Sequence, residues 1–131
     1  MPLKQFHFGG DEVPNGAYAE SPACKDFLRN HATVKSPKDL KRHFIREVAA
    51  ILAHHGVAVE GWEDAFSDSA GNPLPRSEMK AKEVVSQAWY NIWERDYSHR
   101  AYEYANEGYK VDCSISMQMK RVYEYSNEEG L

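Results

Sequence analysis

Four short apolar runs, near residues 6, 58, 85 and 112, alternate with segments of helical periodicity, and that alternation confines the chain to an α/β fold. Strands joined through helices cross over right-handedly and pair in parallel, so a parallel sheet is expected. The clearest helix begins at Ser36, with Pro37 at its first position and Asp39 three residues after the serine, and stops at Gly56. Its apolar residues Leu40, Phe44, Val48, Ile51 and Leu52 recur at spacings of three and four and form one packing face. A second amphipathic helix is read over roughly 96–107, with Tyr97, Ala101, Tyr102 and Ala105 apolar and Gly108 as its stop. A shorter one runs from Ser21-Pro22 to about Asn30. Between residues 67 and 82, the cluster Gly71, Asn72, Pro73 and Pro75 marks a loop longer than compact domains usually carry, and so a candidate cleft lining.

At 131 residues the chain suffices for one compact domain, whereas an eight-stranded βα barrel takes about 250. No linker, repeat or low-complexity tract divides it. Four βα steps amount to roughly half a barrel, which leaves strand edges open and offers a route to self-association. Hydrophobic residues at 42% and aromatics at 12% can supply a core, which excludes a disordered tail. The net charge of −4 is spread without a Lys/Arg stripe, so nucleic acid is not an expected partner. No apolar run approaches the ~20 residues of a membrane span. Residues 1–5 carry no signal-peptide pattern, but a chain this short is expected to be an internal segment, so localisation stays open. Cys24 and Cys113 are expected as thiols, not as a disulfide framework or zinc site. His54-His55 are read as offsets to a helix dipole, and neither a metal nor a cofactor is expected.

Parallel α/β folds bind ligands at the carboxyl ends of their strands. Three such tips stand out: Asp11-Glu12, Trp62-Glu63 and Trp89-Tyr90. Successive residues of a regular strand face opposite sides, so Asp11 and Glu12 could share a cavity only if the strand bends. Gly9 and Gly10 permit a bend and a close ligand approach. Two carboxyl groups in one partly desolvated site repel, which raises the proton affinity of one and keeps an acid available at working pH. Taken alone, an acid pair after two glycines is more often a turn or helix cap, and a single tryptophan is more often core.

The run His7-Phe8-Gly9-Gly10-Asp11-Glu12-Val13 resembles the His-x-Gly-Gly-Asp-Glu signature of family 20 glycoside hydrolases, the β-N-acetylhexosaminidases and chitobiases. A motif of that length reverses the bland preference. Gly61-Trp62-Glu63-Asp64 looks like the family's next strand tip and Gln87-Ala88-Trp89-Tyr90 like the one after, the likeness fading towards Val111. The resemblance implies that residues 1–131 are a single fragment of a (β/α)8 TIM-barrel catalytic domain, covering about strands four to seven. It also implies a retaining hydrolase that removes terminal β-linked N-acetylglucosamine or N-acetylgalactosamine from oligosaccharides or glycoconjugates, which points to a periplasmic or extracellular parent enzyme.

On that resemblance the substrate supplies its own nucleophile, through an oxazolinium intermediate. Glu12 would be the general acid and then the base, and Asp11 would hold the 2-acetamido group. Trp62 and Trp89 would wall the pocket. His7 would lie beneath the acids and bond to them or to neighbouring backbone, as either a structural histidine or a sugar contact. The family's Tyr-Asp pair has no match in Ser116-Met117-Gln118-Met119-Lys120-Arg121, although Tyr123-Glu124 follows. The family's first-strand Arg and last pocket Trp have no counterpart either. Weak or no turnover is therefore expected of these 131 residues alone. The rival readings are a non-catalytic carbohydrate-binding or interaction module derived from the same barrel, and an ordinary glycosidase with a protein nucleophile.

Overall fold

A computed structural model of the protein describes residues 2–14, 16–89 and 99–113. Strands β1 (Gln5–His7), β2 (Ala58–Trp62), β3 (Val84–Ala88) and β4 (Lys110–Cys113) form one sheet in the order β1-β2-β3-β4. All three pairings are parallel, with Phe6 opposite Val59, Glu60 opposite Val85 and Ser86 opposite Val111. Helices α1 (Pro22–Asn30) and α2 (Asp39–His54) lie between β1 and β2, and α3 (Arg100–Asn106) precedes β4. The α/β class and the positions of the strands agree with the apolar runs. Sequential order is the arrangement that right-handed crossovers between neighbouring parallel strands produce.

The core lies between the sheet and its helices. Ile45 and Ala49 of α2 pack with Val59 of β2, Val84 of β3, Phe66, Leu74, Met79, Ala81, Tyr104 and Tyr109. β3 is buried at four of its five residues, as expected of a parallel strand covered on both faces. Tyr104 and Tyr109 meet edge to face, with ring centres 5.5 Å apart. Each finds an acceptor for its hydroxyl, the Glu63 carbonyl for Tyr104 and the Leu74 carbonyl, at 2.8 Å, for Tyr109. Burial pushes the Tyr104 phenol up to about 12 and the Tyr109 phenol higher still.

Several details depart from the sequence expectation. Ser36 does not cap α2: its hydroxyl and its N–H both donate to the Asp39 carboxylate, at 2.7 and 3.1 Å. The chain passes through a turn at 36–38 before the helix begins at Asp39. The apolar face of α2 is also broader than its buried line. Ile45 and Ala49 are sealed, whereas Phe44 and Ile51 remain 55% and 59% exposed. In α3 the buried residue is Tyr104, not Tyr102 or Ala105, because its hydroxyl has a carbonyl to meet inside. The stretch 96–98, with Tyr97, lies outside the described residues. The loop at 67–82 feeds the core through Leu74, Met79 and Ala81. Its Arg76 guanidinium ties it together by donating to the carbonyls of Met79, Ala81 and Lys82 at 2.9, 2.8 and 3.2 Å. Among the described residues no helix is long and apolar enough to cross a membrane. Cys24 and Cys113 are not joined in a disulfide.

Candidate active site

β1 ends by a mechanism written in its glycines. The Phe8 N–H still donates to the Glu60 carbonyl at 2.9 Å, continuing the pairing one residue past His7. Gly9 and Gly10 then take φ values of +77° and +89°, in the region glycine enters without steric cost, and the chain turns out of the sheet. The Phe8 ring fills the space beneath. A Cβ on Gly10 would lie 2.7 Å from the Ala65 Cβ and 2.8 Å from that ring, and a Cβ on Gly61 would meet it at 2.7 Å. Two bare backbones, one in the bend after β1 and one in β2, thus make room for one aromatic side chain.

Asp11 and Glu12 follow the bend and are exposed. The partial desolvation expected for the pair is not supplied by the described residues, since both acids stand beyond the sheet's end, past the last core side chains. Glu12 has φ +48°, the left-handed region, which costs a side-chain-bearing residue roughly 1–2 kcal/mol. Its N–H donates to Asp64 Oδ2 at 2.6 Å, a short charge-assisted bond that holds the unusual backbone. The other oxygen of the same carboxylate, Oδ1, accepts the Trp89 indole N–H at 3.0 Å. Asp64 therefore joins the tip of β1 to the tip of β3.

Asp64 is itself fixed from behind. It lies in the 3-10 turn Glu63–Phe66 that follows β2, anchored by fully buried Ala65 and Phe66. Its carbonyl accepts from the Ser67 hydroxyl at 2.8 Å, from the Ser67 N–H at 3.3 Å and from the Lys41 ammonium. Burial lowers the Lys41 pKa, the Asp64 charge opposes that shift, and the Arg100 charge adds to it. Glu63, the acid named with Trp62 at this tip, points the other way. It is 1% exposed, and its carboxylate lies 3.8 Å from the Arg100 guanidinium.

His7 accepts the Gly9 N–H on Nδ1 at 3.1 Å, which puts its ring proton on Nε2. Of the two partners expected for it, neighbouring backbone is the one observed. Its ring stands edge-on to Trp62, with centres 5.1 Å apart. The tip residues are thus linked by contact: His7 to Trp62, and Glu12 to Trp89 through Asp64. Asp11 stands exposed beside Glu12. Tyr90, residues 116–121 and the pair Tyr123-Glu124 lie outside the described residues. Among the described residues no group of three His, Cys, Asp or Glu side chains is placed to hold a metal ion.

Asp64 and Lys41 are what a sequence reading misses. Asp64 stands in the quoted tip, but two successive acids give no sign of which turns inward. Lys41 is an unremarkable helix lysine whose reach depends on tertiary packing.

The model of the glycosyl hydrolase family 20 catalytic domain matches residues 1–125. β-Hexosaminidase B of Pseudoalteromonas piscicida is 32% identical over 114 residues, 87% of this chain and 13% of that protein. N,N'-diacetylchitobiase of Vibrio harveyi is 27% identical over 86% of this chain and 15% of its own length. Among solved structures, the β-N-acetylhexosaminidase of Bacteroides fragilis NCTC 9343 superposes with a TM-score of 0.55 at 26% identity, over 80% of this chain and 19% of that one. The chain thus spans about a fifth or less of these proteins. With the family model covering nearly all of its length, the chain belongs to glycosyl hydrolase family 20 and lies within that family's catalytic domain.

Proposed function

We propose that residues 1–131 are a single piece of a (β/α)8 catalytic domain, about its strands four to seven, from an enzyme that releases terminal β-linked N-acetylhexosamine with retention of configuration. The observation that carries this reading is the link between Glu12 and Trp89 through Asp64, which gathers an exposed acid and an indole at one end of a parallel sheet. Relatives carrying the names hexosaminidase and chitobiase support the substrate class.

In the proposed reaction the 2-acetamido carbonyl oxygen attacks the anomeric carbon as the glycosidic C–O bond breaks. Glu12 gives its proton to the departing oxygen. Asp11 accepts the acetamido N–H, which aims the carbonyl and offsets the positive charge of the oxazolinium ring. Water then attacks the anomeric carbon from the face the leaving group vacated, delivering a proton to Glu12 and reopening the ring. Two inversions at one carbon retain its configuration. Trp62 and Trp89 are proposed to stack on the apolar sugar faces and the acetamido methyl, and His7 to support Trp62 from below. Self-association of the isolated segment is proposed as well, since among the described residues β1 pairs on one side only, with Leu3 and Phe6 exposed beside that edge.

Glu12→Gln in the full polypeptide carrying this segment tests the reading. The expected loss on an unactivated aryl N-acetyl-β-glucosaminide is about 10²- to 10⁴-fold in kcat. Undiminished hydrolysis would remove Glu12 from the chemistry and favour a binding module. A substrate lacking the acetamido group should lose nearly all rate; ready turnover of it would point to a protein nucleophile.

A further inference from the structure

We propose that Asp64 is a positioning residue, a single carboxylate that sets the aim of the acid Glu12 and the tilt of the pocket wall Trp89 together. This rests on the reading of Glu12 as the acid and assigns to Asp64 how that acid is presented.

The geometry is economical. A carboxylate has two oxygens and no donor, and here each oxygen is committed to one N–H: the Glu12 amide at 2.6 Å and the Trp89 indole at 3.0 Å. Local preference disfavours φ +48° at Glu12, so the bond that offsets this cost also helps decide where the side chain points. Such a clamp works only if it is rigid. Three donors, Lys41 Nζ, Ser67 Oγ and the Ser67 N–H, hold the Asp64 carbonyl, and the two residues after it are sealed in the core. Lys41 is drawn from α2 and Ser67 from the turn after β2, so the clamp is braced by elements that take no part in the proposed chemistry.

Asp64→Asn is the informative change. The amide has the same shape but a single acceptor oxygen, so its NH2 must face one of the two N–H donors and one bond is lost. A displaced acid shows itself through the leaving group. Departure of an unactivated aryl alcohol needs the proton from Glu12, whereas a dinitrophenolate leaves with little help.

In the full polypeptide, the expected result is a kcat lower by ~10- to 100-fold on the unactivated substrate, with a clearly smaller loss on the dinitrophenyl one. A general loss of folded protein would lower both equally, so an equal fall, or no fall, overturns the proposal. Asp64→Glu keeps both acceptors and the charge; it should restore part of the selective loss, and it replaces Asp64→Asn in the same comparison if the amide variant does not fold. Glu12→Gln is run beside them. If that variant keeps full hydrolysis, the reading of Glu12 has failed; if it is inactive while both Asp64 variants keep the parental ratio between substrates, only the role of Asp64 has.

Discussion

A methyl group added at Gly61 has nowhere to go. It would meet the Phe8 ring at 2.7 and 2.8 Å and the Gly9 carbonyl at 3.2 Å, so Gly61→Ala is an overpacking substitution expected to cost about 1–3 kcal/mol. Urea unfolding of the variant would measure that loss, and an unchanged midpoint would contradict it. Gly10→Ala should cost more. It repeats the clash with Phe8, adds one with Ala65, and forces a Cβ into φ +89°. The sequence made the first half of this legible, since two glycines before two acids announce a backbone that leaves the strand. It could not show that Gly61, far along the chain, would be needed to seat Phe8. Nor could it rank Glu63 against Asp64, because their opposite directions are set by a 3-10 turn and by the position of Arg100.

Between elements, α2 is fastened to the loop after β2 by a two-pronged pair. The Arg42 guanidinium donates from Nε to Glu78 Oε2 at 2.8 Å and from its terminal nitrogen to Oε1. The hydrogen bonds from Arg42 hold the Glu78 carboxyl below its ordinary value of 4.5, against a smaller opposing effect of burial, with Arg46 contributing. A carboxyl that is more acidic in the folded chain than in the unfolded one stabilises fully above the ordinary carboxylate range. That contribution disappears as pH falls through the lowered value. Glu78→Gln should therefore lower the unfolding midpoint at neutral pH but have little effect well below 4.5, and a loss that is the same at both would assign it to packing instead. The helices themselves were largely visible from periodicity: α1 spans the residues read from Ser21-Pro22 onward, and α2 differs chiefly in its start. What periodicity could not resolve is which part of a wide apolar face is sealed. Phe44 instead stands at the rim, edge-on to Phe8 with ring centres 6.4 Å apart.

At the scale of the molecule, the proposed reading as about strands four to seven of a barrel leaves the remaining strand tips, and the pocket walls they would carry, outside residues 1–131. The isolated 131-residue segment is expected to hydrolyse an aryl N-acetyl-β-glucosaminide feebly or not at all, and turnover near that of the full polypeptide would refute this. Sedimentation velocity on the same material should find species larger than a monomer, and a monomer at all concentrations would dismiss association through the β1 edge. The order of the strands has a bearing on synthesis as well. Among the described residues Gln5 pairs with Ala58, more than fifty residues later in the chain, while β2, β3 and β4 each pair with the strand before them. Within these residues Glu12 leaves the ribosome well before Asp64 and Trp89, so the bonds that hold its backbone and join it to the indole stay unmade until both have emerged.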